Sequence, residues 1–323
     1  MTFRRLVLLT AAAASLAGSA AAQDGKNFPN KPIRVLVGFT PGGGIDTVAR
    51  VVAQEAAKEF PVPIIVENKP GLGGSIAGEA VARAEADGHT LFVTAPGSAV
   101  INPHLLKELG YKFEDTKAVT LIGLVPLVVV THPGTSLHAL GDLVSQAKAS
   151  PGKLNYGTVG VGTSNHMATA LFEMTAGVQM THVPYKGPQA NTDLLAGRLD
   201  LIFDAITTAA PFIKENQYRP LAVTTKVRSP MLPNVPTIAE SGFPDYEASN
   251  WYGIVAPAQT PADIVAKLNA AFVKAIRSPE VTKRLEGMGV IVAANSPAEF
   301  DQFLATQYRR MGEVVRATGA KPQ

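Results

Sequence analysis

The chain has 323 residues, of which 46% are hydrophobic and 17% charged, with no cysteine and a formal net charge of +3. That length is enough for two lobes, each with its own core. The near-balanced charge argues against nucleic acid or an acidic membrane surface as partner, and the missing thiol excludes disulfides, thiolate metal sites, a cysteine nucleophile and a lipoprotein anchor.

Arg4 and Arg5 precede an apolar stretch from Leu6 to Ala17, and Ala20-Ala21-Ala22 follows before Gln23. A basic start, a short apolar core and small residues at a cleavage site make residues 1–22 a secretory signal peptide, so the mature protein is expected in the periplasm. The Arg4-Arg5 pair leaves twin-arginine export open beside the general secretory route, which Leu6-Val7-Leu8 favours. Removing both arginines takes the 29 basic residues to 27 against 26 acids, a net of about +1. No later apolar segment reaches the length of a membrane-spanning helix.

Ile33 to Phe39 reads as a strand, Thr40-Pro41-Gly42-Gly43-Gly44 as a glycine-rich turn, and Val48, Ala49, Val51, Val52 and Ala56 as the buried stripe of a helix. Such a turn offers backbone N–H groups at the positive end of a helix, and glycines let an anion approach them. Asp46 reads as the N-cap of that helix. Strand, glycine loop and helix, then a strand ending in Glu67, imitate a dinucleotide site. The fingerprint fails because Thr47 stands where its third glycine belongs and Pro41 intrudes.

Val62 to Glu67 is a second strand, Asn68 to Ser75 a second glycine cluster, Ile76 to Ala86 a small-residue helix, and Thr90 to Thr94 a third strand. Successive βαβ units imply a parallel sheet. The Ala95-Pro96-Gly97-Ser98 loop then shares the carboxyl edge with the first glycine loop, where open α/β sheets bind ligands. Leu121 to Thr131 is a long buried strand able to cross between lobes, and Leu137 to Ala149 is a helix. Leu154 to Phe172 repeats the strand, glycine loop and helix pattern, with Thr163 and Ser164 at cap positions.

A catalytic Ser164 and His166 pair is not supported. Residues two apart on a helix do not face each other, no nucleophile elbow frames the serine, and no acid nearby orients the imidazole. His166 instead reads as a helix-start residue that bonds the loop or lines a cleft. The six histidines lack metal-ligand spacing, and nothing singles out a carboxylate pair for glycoside chemistry.

A helix from Gln189 to Leu195, a strand from Leu199 to Phe203 ending in Asp204, and a strand from Leu221 to Thr225 come next. The proline-rich Pro230 to Pro236 is a surface loop, Trp251 to Ala256 an apolar strand placed to cross back, and Pro261 to Ile276 and Pro297 to Ala317 are amphipathic helices. Trp251, Tyr252 and Phe39 read as core before ligand-stacking groups.

The motifs Lys31 to Asp46, Val66 to Gly74, Ala86 to Leu91, Pro151 to His166, His182 to Gly187, Leu232 to Gly242 and Trp251 to Pro261 are weak singly. In this order they cover almost all of the mature chain, which resembles the tripartite tricarboxylate transporter substrate-binding receptors, or Bug receptors. Thr131-His132-Pro133-Gly134 departs from the sequence those receptors commonly show after the first long strand. The resemblance implies the two-lobed periplasmic-binding-protein (Venus flytrap) fold, each lobe a mainly parallel sheet flanked by helices, joined by two crossover strands. Lobe 1 is expected over 23–122 and 251–323, lobe 2 over 123–250.

It also implies a small organic carboxylate (a di- or tricarboxylate, an amino acid or an aromatic acid) held in the cleft and delivered to membrane permease subunits. The candidate ligand residues are Phe39, Thr40, Pro41, Gly42, Gly43, Gly44 and Asp46, then Ser98, then Gly162, Thr163, Ser164 and His166, with Asp204. No catalytic residue, metal, cofactor or nucleic-acid partner is expected, and the receptor should act as a monomer. A secreted α/β hydrolase and a chemosensory receptor without a transport role are the competing readings.

Overall fold

The computed structural model describes residues 27–185 and 189–318. The signal segment 1–22 and Lys186-Gly187 lie outside them. The strands are β1 (Ile33–Val37), β2 (Ile64–Asn68), β3 (Thr90–Thr94), β4 (Thr116–Thr131), β5 (Asn155–Thr158), β6 (Thr181–Pro184), β7 (Leu201–Ala205), β8 (Arg219–Val223), β9 (Ser249–Pro257) and β10 (Ile291–Val292). The helices are α1 (Gly44–Ala56), α2 (Ser75–Ala82), α3 (Asn102–Leu105), α4 (Leu140–Ala149), α5 (Ser164–Ala176), α6 (Gln189–Leu195), α7 (Ile206–Lys214), α8 (Ala262–Ile276), α9 (Pro279–Gly287) and α10 (Pro297–Thr318).

Hydrogen bonding orders the sheet β2-β1-β3-β9-β4-β7-β5-β6, with β8 and β10 also on β4. β1 runs parallel to β2 and β3, and β5 runs parallel to β6 and β7. These two parallel groups are the lobes. The alternation of β1 explains its central place: Ile33, Val35 and Val37 enter one core and Leu36 the core on the opposite face. A strand covered on both faces is what parallel sheets require.

β4 joins the halves. Its first part pairs antiparallel with β9 from Thr116↔Pro257 to Pro126↔Ser249, and its last residues pair with β7 and β8. Side chains on β4 therefore feed four cores in turn. Val119, Ile122 and Val125 face one lobe-1 core and Leu121 the other; past Pro126, Leu127 and Val129 face one lobe-2 core and Val128 and Val130 the other. Pro126 has no N–H to give the ladder, and the next N–H, of Leu127, goes to the Thr224 hydroxyl at 3.0 Å. The change of sheet partner falls at that proline.

Three expectations need correction. Ala95 to Ser98 is not an open loop: the Ser98 hydroxyl lies 2.9 Å from that of Thr94 and donates to the Ala95 carbonyl, winding the chain helically from Gly97 into α3. The small-residue helix stops at Ala82 rather than Ala86, since Asp87 turns back to accept the His89 N–H. Helices α3, α7 and α9 and the short strands β6 and β10 had no counterpart in the pattern reading; Pro211 inside α7 masks its helical spacing.

Candidate functional site

Three helix N-termini lie where the lobes face each other: those of α1 (lobe 1) and α7 (lobe 2) approach each other, and the loop into α5 (lobe 2) packs against Asn102 and Leu105 of lobe 1. α1 and α5 follow their strands through a glycine loop and α7 starts directly at the end of β7, and each leaves first-turn N–H groups without partners inside its helix. The N-cap of α1 is Gly43, with φ −71° and ψ 165°, angles open to any residue. Gly42 is different, since its φ of +83° lies in the left-handed region where glycine is favoured.

Asp46 is corrected from N-cap to the first turn of α1, where it is 2% exposed. Its carboxylate accepts the Gly42 N–H at 2.9 Å, Arg50 Nε at 3.0 Å and Asn68 Nδ2 at 2.8 Å. Burial works to raise the acid, but hydrogen bonds from Arg50, Gly42 and Asn68 hold it below the usual carboxylate range. Asn68 also donates to the Phe39 carbonyl at 2.9 Å. Asp46 thus ties both ends of the glycine loop and spends its charge on protein partners.

The loop from β5 to α5 is braced in the same way. Thr163 is the N-cap of α5; its hydroxyl donates to the Gly160 carbonyl at 2.8 Å and accepts the His166 N–H at 3.5 Å. The Gly162 N–H donates to His166 Nδ1 at 3.2 Å, which puts the imidazole proton on Nε2. His166 stacks on His182 with ring centroids 4.1 Å apart, and His182 stacks on Tyr156 at 4.9 Å. Burial, and for His166 also the neighbouring His182, pushes both imidazoles down to about 4. Both are uncharged at neutral pH. The Ser164 hydroxyl, by contrast, makes no hydrogen bond among the described residues and lines a cavity between the lobes.

Gly162 brings this loop against lobe 1. Its φ is +74°, and a Cβ there would lie 2.5 Å from Leu105 Cδ2 and 3.2 Å from Asn102 Oδ1. On the other side of the seam, a Cβ on Gly44 would lie 3.5 Å from both Thr207 Oγ1 and Tyr252 Oη. Thr207 and Thr208 occupy the first turn of α7 and were not anticipated. The available signal was a hydroxyl pair just past a strand end, as at Thr163-Ser164.

The seam opens into two cavities. The larger, about 1010 Å³, is walled by Gly42, Gly43, Gly44 and Thr47 of lobe 1, by Thr207, Thr208, Ala210, Pro211, Ile213 and Lys214 of α7, and by Met231, Leu232 and Met288. The smaller, about 200 Å³, lies between α5 and α10 and includes Ser164 and Trp251. Phe39 is half-buried against the lobe-1 core, while Thr40 and Pro41 are exposed at the loop's crest.

Of the anticipated residues only Gly42, Gly43, Gly44 and Ser164 line these cavities, and Ser98 and Asp204 are buried away from them. Ser98 is fully buried in lobe 1 and braces the neighbouring loops; a Cβ on Gly74 would meet its side chain at 3.5 Å and Phe39 at 3.3 Å. Asp204 is 4% exposed, opposite Val128 in the sheet, and its oxygens accept Asn191 Nδ2 at 2.7 Å and the Ala205 N–H at 2.9 Å. Burial pushes its acid up to about 6 against those two bonds. Among the described residues no cluster of His, Asp and Glu has the makings of a metal site.

The comparisons with known proteins agree with this geometry. A family model described as the tripartite tricarboxylate transporter family receptor matches residues 48–320. The chain is 34% identical over 324 residues to protein BugT of Bordetella pertussis, covering 99% of this chain and 99% of that one. Among solved structures, the R. palustris protein Rpa4515 with adipate aligns with a TM-score of 0.84 at 32% identity, covering 92% of this chain and 100% of that chain. MatC from Rhodopseudomonas palustris with bound malate aligns with a TM-score of 0.80 at 32% identity, covering 89% and 100%.

Proposed function

The chain belongs to the tripartite tricarboxylate transporter receptor family, and from that premise we propose that it is a periplasmic receptor which captures a small organic carboxylate between its lobes and delivers it to the permease subunits of a tripartite transporter. The observation that carries this reading is the approach of the α1 and α7 N-termini across the seam, Gly42 to Gly44 facing Thr207 and Thr208 over the larger cavity, with Ser164 at the α5 N-terminus on the smaller one. Helix N-termini and hydroxyls suit a carboxylate, and their split between lobes makes ligand binding favour closure, since only the closed arrangement supplies all the donors.

The chain is exported by its 1–22 signal and works as a monomer. The site residues are Gly42, Gly43, Gly44, Ser164, Thr207 and Thr208; Phe39, Asp46, Ser98, Gly162, Thr163 and His166 shape the loops around them. A receptor is favoured over a hydrolase because His166 turns Nδ1 to the Gly162 N–H and its ring onto His182, rather than serving Ser164.

A thermal-shift screen of mono-, di- and tricarboxylates, amino acids and aromatic acids, followed by calorimetry, tests the reading. At least one carboxylate should raise the melting temperature and bind with 1:1 stoichiometry. A folded protein indifferent to every acid in the set would refute it.

A further inference from the structure

Five tyrosines are buried among the described residues, and four of their hydroxyls are engaged inside the protein. Tyr111 donates to the Ser98 carbonyl at 2.5 Å, Tyr218 to that of Asn191 at 3.2 Å and Tyr246 to that of Ala168 at 2.9 Å, while Tyr156 is bonded to the Glu173 carboxylate. Tyr252 differs. We propose that Tyr252 is a further ligand-binding residue, donating its phenol proton to a carboxylate held between the α1 and α7 N-termini. The inference rests on the carboxylate-receptor reading and adds a donor that comes from the crossover strand β9 instead of a loop.

The strand puts the ring in place. Tyr252, Ile254 and Ala256 share the face of β9 that enters a lobe-1 core, and Ile206, the first residue of α7, is buried in the same core. Tyr252 pairs with Gly123 of β4 where the register of that ladder shifts, an irregularity of the kind that re-aims a side chain. The hydroxyl ends at the contact of the two helix starts: a Cβ on Gly44 would lie 3.5 Å from Tyr252 Oη and 3.5 Å from Thr207 Oγ1. Gly44 and Thr207 also wall the larger cavity, so an acid oxygen reaches Tyr252 from there.

Among the described residues the phenol proton has no acceptor. Asn250 Oδ1 accepts the Trp251 N–H at 3.0 Å, which leaves its Nδ2 to face Tyr252, and that amide meets Oη as a donor at 3.5 Å. Tyr252 is 5% exposed, and a buried hydroxyl without an acceptor costs free energy that a phenylalanine would avoid. Burial also raises the phenol, so it keeps the proton it has to give. What converges beside Gly44 is the Tyr252 and Thr207 hydroxyls and the first-turn N–H groups of two helices. A carboxylate, with two acceptor oxygens and no proton of its own, satisfies both hydroxyls; an ammonium would add only further donors.

The test sets Tyr252→Phe, which removes the hydroxyl and leaves the ring in the core, beside Tyr246→Phe, which removes a hydroxyl that has a protein partner. Calorimetry is run with acetate, succinate, adipate, citrate, glutamate and benzoate, and the variants are compared on whichever of them binds wild type most tightly. Tyr252→Phe should bind that acid roughly 10- to 150-fold more weakly, the range of a hydrogen bond to a charged group, and should melt no lower than wild type. Tyr246→Phe should do the reverse, melting lower and binding as wild type does. Unchanged affinity in Tyr252→Phe, or a loss of affinity matched by a loss of stability, overturns the inference and leaves the receptor reading standing. If none of the six acids binds folded wild type, the receptor reading itself fails and this inference goes with it.

Discussion

Gly44, the first residue of α1, stands directly against Thr207, the second residue of α7, with room between them for a Cβ at 3.5 Å and for little more. Two helix N-termini from different lobes thus approach through a glycine and a threonine. Gly44→Ala should be tolerated, because 3.5 Å is ordinary van der Waals distance. Gly44→Val should wedge the lobes apart, leaving the melting curve of the ligand-free protein near wild type while affinity falls and ligand no longer compacts the particle. Solution scattering at saturating ligand checks this; full compaction of the valine variant would count against the seam as the closing surface.

The two neighbouring hydroxyls of the second loop should fail differently. Thr163 is spent internally as a helix cap, so Thr163→Ala should cost about 0.5–2 kcal/mol of stability. Ser164 has no internal partner, so Ser164→Ala should leave stability nearly unchanged. If it meets the ligand's charge, its loss removes about 1.5–3 kcal/mol of binding, roughly 10- to 150-fold. Calorimetry and melting curves on both variants decide this, and unchanged affinity in Ser164→Ala would remove that residue from the site.

The longer strands, the glycine loops and the crossover of β4 were legible because each rests on local pattern, apolar runs, φ-permissive glycines and alternation, whereas the short β6 and β10 carry too few apolar residues to show one. The roles inside the loops were not. Asp46 has the composition of a cap, but its job depends on Asn68, 22 residues away, and on Arg50. Ser98 lies at the ligand-binding edge by topology, yet Thr94 and Ala95 turn its hydroxyl inward. α7 was hidden because Pro211 breaks the helical spacing, and Thr207 went unnoticed with it.

Gly162 separates two kinds of strain. A side chain there meets the left-handed backbone angle and, at 2.5 Å, a terminal methyl of the buried Leu105. Gly162→Ala should destabilise by about 1–3 kcal/mol. Adding Leu105→Ala to it should relieve the contact but not the backbone, so urea unfolding of the pair should show less loss than the two single changes predict together. Simple additivity would mean that the methyl contact contributes nothing.

The stacked imidazoles set a pH dependence whose sign can be worked out. His166 and His182 are held at about 4 in the fold, against 6.5 for the free side chain. Between those values the unfolded chain binds more protons than the native one, so stability rises with pH across the window. The contribution is whole above 6.5 and is lost as pH falls toward 4. Asp204 acts in the opposite sense: its acid is held at about 6 against 3.8, so the native state binds the extra proton and gains on the acid side. Urea unfolding at intervals from pH 7 to pH 4 should therefore show a net loss for wild type, a shallower one for the His166→Gln, His182→Gln double variant, and a steeper one for Asp204→Asn. Protonation of the folded pair, which comes only near pH 4, would place two cations 4.1 Å apart behind Gly162, so ligand affinity should drop as pH approaches 4 and the double variant should resist the drop. Equal slopes in wild type and the double variant would show that the histidine stack does not set the acid response.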